Sequence, residues 1–421
     1  MTTNGGWADS VYHPWVGAVD DCNIRIETKP DFIRVVNFAV RRRLSDLVIQ
    51  VGRPAFAGWH GDLTAITRPL KKHVVEEILI WATQRDSIVS HLQGGQDFDH
   101  AFNVPDLVET DRWGVARRHR FRLNVTSGYY EGDFGFQLVM RYIASEPPTV
   151  EEAGLEPEIL AEATPGSGMV ALLGETGSGK THTGASILRH VIEGRTHIRG
   201  NILTYEAPIE FVFEDIPSAV CTIQQQEIGL HLPDFSAGVR NSLRRKPCLV
   251  LVGEMRDSVT IGAGVEAANL GIPVLTTAHA NKVSVGLRRL VQKFPAERQN
   301  QAFYDVVATT HMLVSQRLVD RADGPGKVCL REWQVITDDV RKQLEEAGPE
   351  RHVRRLQEII DAPDNPSGRS MRETVLRRVR AGEIALETGR RILLAYGYHT
   401  AVLDGVADTA PARVDPEGGA V

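Results

Sequence analysis

Eight consecutive residues, Gly174, Glu175, Thr176, Gly177, Ser178, Gly179, Lys180 and Thr181, fit the pattern G-x-x-x-x-G-K-[ST]. The chemistry this pattern serves is phosphate binding. Glycines let successive backbone N–H groups point inward at phosphate oxygens. A helix that starts at the lysine turns its free N–H groups and its positive dipole end toward the same anion. Lys180 would reach the β- and γ-phosphates and the Thr181 hydroxyl would ligate Mg²⁺. His182 completes the candidate cofactor contacts.

A phosphate loop holds a nucleoside triphosphate, but hydrolysis also needs a placed metal and a group that orients the attacking water. Three segments offer candidates. The apolar run Cys248–Val252 ends in Gly253 and Glu254, and Glu254 could order the metal's water shell or polarise the water. The stretch Asn201–Phe211 carries Glu206 and Glu210 on either side of Pro208. A carboxylate held on such a turn suits a general base, although two solvated glutamates fit the spacing as well. The stretch Leu275–Asn281 places His279 where an imidazole could hydrogen-bond a γ-phosphate; a structural histidine fits there too.

These side chains need a frame. The apolar run Met169–Leu173 reads as a strand and Thr183–Val191 as a helix, so the loop joins strand to helix. Further strands are expected at Asn201–Tyr205, Cys248–Val252 and Pro273–Thr277, alternating with helical stretches. That alternation predicts an α/β fold, a parallel sheet covered on both faces. Ligands bind at the carboxyl ends of such strands. Glu206, Glu254 and His279 each stand just past one.

Upstream, Asp31–Arg43 has helical spacing, Leu44–Val51 reads as a strand, and His73–Ser90 as a helix. Arg120–Val125 and Phe134–Ile143 alternate as strands. Downstream, Val340–Ala347, Glu350–Ile360 and Met371–Tyr396 are charged and helix-periodic. The chain thus divides into an N-terminal arm (1–30), an α+β domain (31–146), a linker (147–165), an α/β nucleotide-binding domain (166–336), a small helical C-terminal region (337–406) and a Pro/Gly-rich tail expected to be disordered (407–421).

Among the 421 residues, a formal charge of −6 argues against a protein coated in nucleic acid. The cysteines Cys22, Cys221, Cys248 and Cys329 lack metal-ligand spacing and read as free thiols. No run approaches the ~18 apolar residues of a membrane span, and the first residues lack the basic start and apolar core of a secretory signal. The expected place is the cytoplasm, or the inner face of a membrane reached through partners.

Four segments in one order resemble the secretion ATPase superfamily of bacterial type II and type IV systems. They are GETGSGKT (Walker A), TYEAPIEF (the acidic box), LVLVGEMRD (Walker B) and TTAHAN (the histidine box). The span Val252–Asn281 is similar throughout to the PilT-like pilus retraction ATPases, as are QQEIG at Gln225–Gly229 and SQRL at Ser315–Leu318. Leu44–Leu63 and RFRLN at Arg120–Asn124 resemble parts of that group's PAS-like N-terminal domain. ITRPL at Ile66–Leu70 resembles the DotB/TraJ-type ATPases of type IVB secretion and conjugative transfer.

The resemblance implies a RecA-like P-loop core behind a PAS-like domain, an ATPase using ATP and Mg²⁺, and a homohexamer. The ring is expected to dock peripherally on an inner-membrane secretion or conjugation complex. It implies that Glu210 is the catalytic base, that Glu206 is the first acid of its box, and that Glu254 is the Walker B acid. Thr181 and Glu254 would serve the metal, and His279 would be linked to the γ-phosphate. Arg120, Arg122 and Arg141 become candidates for arginines that complete a neighbour's site, since a planar guanidinium spreads charge onto phosphoryl oxygens; ordinary surface arginines remain the alternative. Two departures stand out. Ala207 replaces the box's usual aspartate, and Arg244, Arg245 and Lys246 make the stretch before Walker B basic. That run suits a partner protein, a nucleic acid or a solvated helix end. A pilus retraction ATPase, a DNA-stimulated nucleic-acid motor and a non-hydrolysing nucleotide switch are the alternatives. Nucleic acid is the less favoured partner.

Overall fold

The computed structural model describes residues 24–404 except 43, 60–61, 111–113, 144–145 and 325. Cys22, most of the expected N-terminal arm and the expected tail lie outside the described residues. The chain forms two compact units that divide between Glu146 and Pro147.

The first unit opens with α1 (Lys29–Arg41), two residues earlier than the apolar spacing predicts. Thr28 and Asp31 form a reciprocal capping box there, with Pro30 in the first turn. Strands β1 (Asp46–Gln50), β2 (Phe56–Trp59) and β3 (Asp62–Ala65) follow, then α2 (Lys72–Thr83) and α3 (Ile88–Gln93). The single helix expected over His73–Ser90 is two helices, because Gln84 adopts a left-handed conformation at φ 55°. Three long strands finish the unit: β4 (Phe98–Thr110), β5 (Ala116–Tyr130) and β6 (Asp133–Ile143). The antiparallel sheet runs β3-β2-β1-β6-β5-β4. Its buried side chains, Phe121, Leu123 and Val125 on β5 and Leu138 and Met140 on β6, join those of α1–α3 in one core.

The second unit is built on a mixed eight-stranded sheet. Its elements are α4 (Pro157–Glu162), β7 (Gly168–Leu173), α5 (Lys180–Ile192), β8 (Gly200–Glu206), β9 (Cys221–Glu227), α6 (Phe235–Ser242), β10 (Pro247–Val252), α7 (Ser258–Asn269), β11 (Pro273–Ala278), α8 (Val283–Val291), α9 (Gln299–Thr309), β12 (Thr310–Asp320), β13 (Lys327–Val335), α10 (Asp338–Ile360), β14 (Gly368–Arg369), α11 (Met371–Arg380) and α12 (Leu386–Ala395). The sheet order is β14-β13-β12-β7-β11-β10-β8-β9. The six strands from β12 to β9 are parallel, and β13 and β14 are antiparallel to their neighbours. β7 explains its own apolar run. Met169, Ala171 and Leu173 face one core cluster while Val170 and Leu172 face another, so both faces are buried. The described C-terminal stretch joins this unit through β14 and through α11, whose Thr374 hydroxyl donates to the Arg331 carbonyl at 2.6 Å. α10 is broken at Gly348 (φ 69°), before Pro349.

Candidate nucleotide site

The loop Gly174–Gly179 leaves the carboxyl end of β7 and turns into α5. Gly174, Gly177 and Gly179 have φ values of 153°, 78° and 85°. At Gly174 a Cβ would sit 2.7 Å from the Gln316 carbonyl oxygen, so no side chain fits. Gly179 stands at the N-cap of α5 and offers no side chain to the first N–H groups of the helix. The Ser178 hydroxyl is buried without a hydrogen-bond partner. Lys180 folds back, donating to the carbonyls of Gly174 at 2.8 Å and Glu175 at 2.9 Å. Burial lowers its ammonium pKa, while Glu254 and Glu210 pull it upward. Uncapped N–H groups, an orphaned hydroxyl and a glycine-shaped cradle fit a phosphate chain. Lys180 would hold the phosphates and the Thr181 hydroxyl a magnesium ion.

β12 supports the loop from the side. Gln316, 3% exposed, donates from Nε2 to the Ser178 carbonyl at 2.7 Å. Arg317 pairs with Glu175 at 3.5 Å. Both belong to the SQRL segment, the one signal in the sequence that pointed to them. His182 meets Phe211 edge to face at 6.1 Å, and burial lowers its pKa.

Glu254 follows β10, and its carboxylate is shared. Oε2 accepts from Arg256 Nε at 2.6 Å, and Oε1 lies 3.2 Å from His279 Nε2. His279 reaches it from the end of β11. Glu254, His279, Glu175 and Thr176 line one open cleft of about 610 Å³, which continues past Asn281 to Arg289 and Lys293.

The acidic turn is strapped down by β9. Glu206 is 6% exposed, and its Oε1 accepts from Thr204 at 2.6 Å and from Gln225 Nε2 at 3.1 Å. Gln225 also donates to the Phe211 carbonyl and accepts from the Phe213 N–H, and Glu227 accepts from the Ile209 N–H. These bonds close the turn around Glu210, which stays half-buried and within electrostatic reach of Lys180. Ala207 packs against the apolar core. The fold therefore brings Glu210, Glu254 and His279 to the loop's side of the sheet and turns Glu206 into the sheet itself. The role of Gln225 was not legible in advance, although its segment was.

In the first unit, Arg122 on β5 stands directly opposite Arg141 on β6, with Arg120 two residues along the same face. Arg122 makes a two-pronged pair with Asp99, at 2.7 and 3.2 Å, and Arg141 binds Asp46 at 3.0 Å. Of the basic run after α6, Arg245 turns back to the glutamines Gln224 and Gln226 of β9.

A sheet with six parallel strands, a phosphate loop at the end of β7 and acids past β8 and β10 defines an α/β phosphate-loop protein. The family model for the Type II/IV secretion system protein matches residues 121–378. The chain belongs to that secretion ATPase family, in its PilT-like branch, and membership implies ATP hydrolysis. The chain is 31% identical to the type IV pilus retractation ATPase PilT of Pseudomonas aeruginosa over 75% of its own length and 86% of that protein. It matches the X-ray structure of the Legionella pneumophila ATPase DotB with a TM-score of 0.77 at 33% identity, covering 89% of this chain and 98% of that one. The Yersinia pseudotuberculosis ATPase DotB gives a TM-score of 0.74 at 31% identity, over 87% and 94%.

Proposed function

We propose that the protein is a Mg²⁺-dependent ATPase motor with a RecA-like core and a PAS-like N-terminal domain, working as a homohexamer in type IV secretion or conjugative transfer. The observation that carries this reading is that Glu210 and Glu254 both lie within electrostatic reach of Lys180, with His279 3.2 Å from Glu254, beside one glycine-shaped loop. Lys180 and the loop N–H groups bind phosphate. Thr181 and Glu254 would hold a magnesium ion, which prefers oxygen ligands. The metal supplies charge neutralisation for the transferred phosphoryl group. Glu210 takes the proton of the attacking water. Glu206 keeps the turn in shape. Arg120, Arg122 and Arg141 complete a neighbour's site, which is the physical reason for a ring.

The DotB likeness favours secretion or conjugation, with peripheral docking at a membrane complex. Among the described residues no helix is long and apolar enough to cross a membrane. The PilT identity favours pilus retraction as the second reading. The attachment of Arg245 to β9 leaves the basic run less available to a nucleic acid.

The test is phosphate release against protein concentration, with sizing in parallel, for wild type and Glu210→Gln. Activity that rises with assembly and vanishes in the variant is expected. Activity independent of assembly would remove the trans arginines. ATP binding without release from an assembled ring would establish a nucleotide switch.

A further inference from the structure

Three consecutive residues directly behind the His279 loop are each fastened to β13 or to the helices that follow it. Lys282 Nζ donates to the Tyr396 carbonyl at the end of α12, at 2.6 Å, and lies 5.5 Å from the centroid of the Tyr396 ring. The Val283 N–H, first in α8, donates to Glu332 Oε1 at 2.9 Å. The Ser284 hydroxyl donates to Gln357 Oε1 on α10 at 2.7 Å.

Glu332 is fully buried, and its other oxygen accepts from the Met371 N–H at 3.2 Å. One carboxylate thus caps the starts of both α8 and α11. Gln357 continues the connection to Tyr398 and Asp361. Lys282 gives α8 no side-chain cap of its own, so the helix start depends on these outside bonds.

We propose that Lys282, Ser284 and Glu332 are positioning residues for the hydrolytic site. They clamp the start of α8 to α10, α11 and α12, and so hold the preceding His279 loop against Glu254. The C-terminal helices then govern turnover without touching the nucleotide. A partner pulling on α11 or α12 would act on hydrolysis through this clamp. The inference rests on the ATPase reading above.

The test is a cycle of Lys282→Met, His279→Ala and the double variant, with Lys282→Arg as the conservative control. Phosphate release is measured at saturating ATP beside ADP affinity. Lys282→Met keeps the aliphatic stem and loses the donor. The expected result is a drop in kcat of about tenfold at unchanged ADP affinity, restored by Lys282→Arg. The double variant should be no slower than His279→Ala alone. Ser284→Ala, on a separate bond, repeats the test if Lys282→Met does not fold. A kcat within twofold of wild type, or a loss that adds in full to that of His279→Ala, overturns the clamp and leaves the ATPase reading standing. A wild type that releases no phosphate overturns the ATPase reading and the clamp together.

Discussion

Glu254 and His279 approach to 3.2 Å from the ends of two adjacent parallel strands, β10 and β11. Arg256 holds the second oxygen of the same carboxylate. Glu254 is therefore oriented from two sides by its own chain. Replacing it by glutamine keeps the shape and removes the charge. Glu254→Gln should lower the rate of phosphate release by about 10²- to 10³-fold. ADP affinity should change only a few-fold. Single-turnover kinetics beside a fluorescent-nucleotide titration reads both.

Lys180 already spans two loop carbonyls with its ammonium. An incoming phosphate replaces neutral acceptors with a charged one. Lys180→Ala should weaken ATP binding by about 10- to 100-fold, the worth of one charge-assisted bond. Thermal stability should hold, because the lysine bonds only the loop itself.

Gln225 ties Glu206, Phe211 and Phe213 into one turn. Gln225→Ala strips a donor from the buried Glu206 and frees the peptide groups around Glu210. A loss of about 1–3 kcal/mol in urea unfolding is expected for the unsatisfied groups. The fall in kcat should exceed what that loss explains, because Glu210 loses its fixed approach. An unchanged kcat would show that the turn holds Glu210 without β9.

Arg331 is 1% exposed and reaches the carbonyls of Ala153 and Gly154, the Glu156 carboxylate and the Thr183 hydroxyl. It fastens the segment before α4 to the phosphate-loop helix. Arg331→Met leaves the Glu156 charge buried with Arg378, 3.4 Å away, as its remaining partner. A cost of about 3–5 kcal/mol is expected. Adding Glu156→Gln should recover part of it, and chemical denaturation of the three variants measures the coupling.

Glu332 gives stability a pH dependence of unusual sign. Burial pushes its carboxyl up to about 7 from an ordinary 4.5, with Asp361 adding to the shift and Lys282 and two N–H groups opposing it. The folded pKa lies above the unfolded one. Below pH 4.5 both states hold the proton. Between 4.5 and 7 the unfolded chain releases it first, so this group's contribution falls as pH rises, by up to about 3 kcal/mol. Glu332→Gln should flatten that part of the stability profile between pH 5 and 8, read by urea unfolding.

What could be read in advance follows how local each signal is. The phosphate loop lies in eight adjacent residues, so its place between β7 and α5 was legible. The parallel strands β7 and β10 were legible because burial on both faces leaves continuous apolar runs; β8 and β11 show shorter ones, Ile202–Leu203 and Val274–Leu275, beside threonines. β9 was not, because an edge strand reading Cys-Thr-Ile-Gln-Gln-Gln-Glu carries polar side chains that serve the acidic turn. The break at Gln84 has no glycine or proline to announce it. Gln316 supports the loop from 138 positions away, and Gln225 reaches Glu206 across 19. Such pairings belong to the topology, which alternation alone does not specify.

The arginine face of β5 and β6 has a consequence of its own. Arg122 and Arg141 are each engaged by an aspartate, Asp99 and Asp46. An anion reaching either guanidinium must take it by exchange, expelling a carboxylate into water. Both pairs are solvent-exposed, so each is worth no more than about 1 kcal/mol. The exchange is therefore a small cost, and a polyphosphate would outweigh it more readily than a singly charged anion.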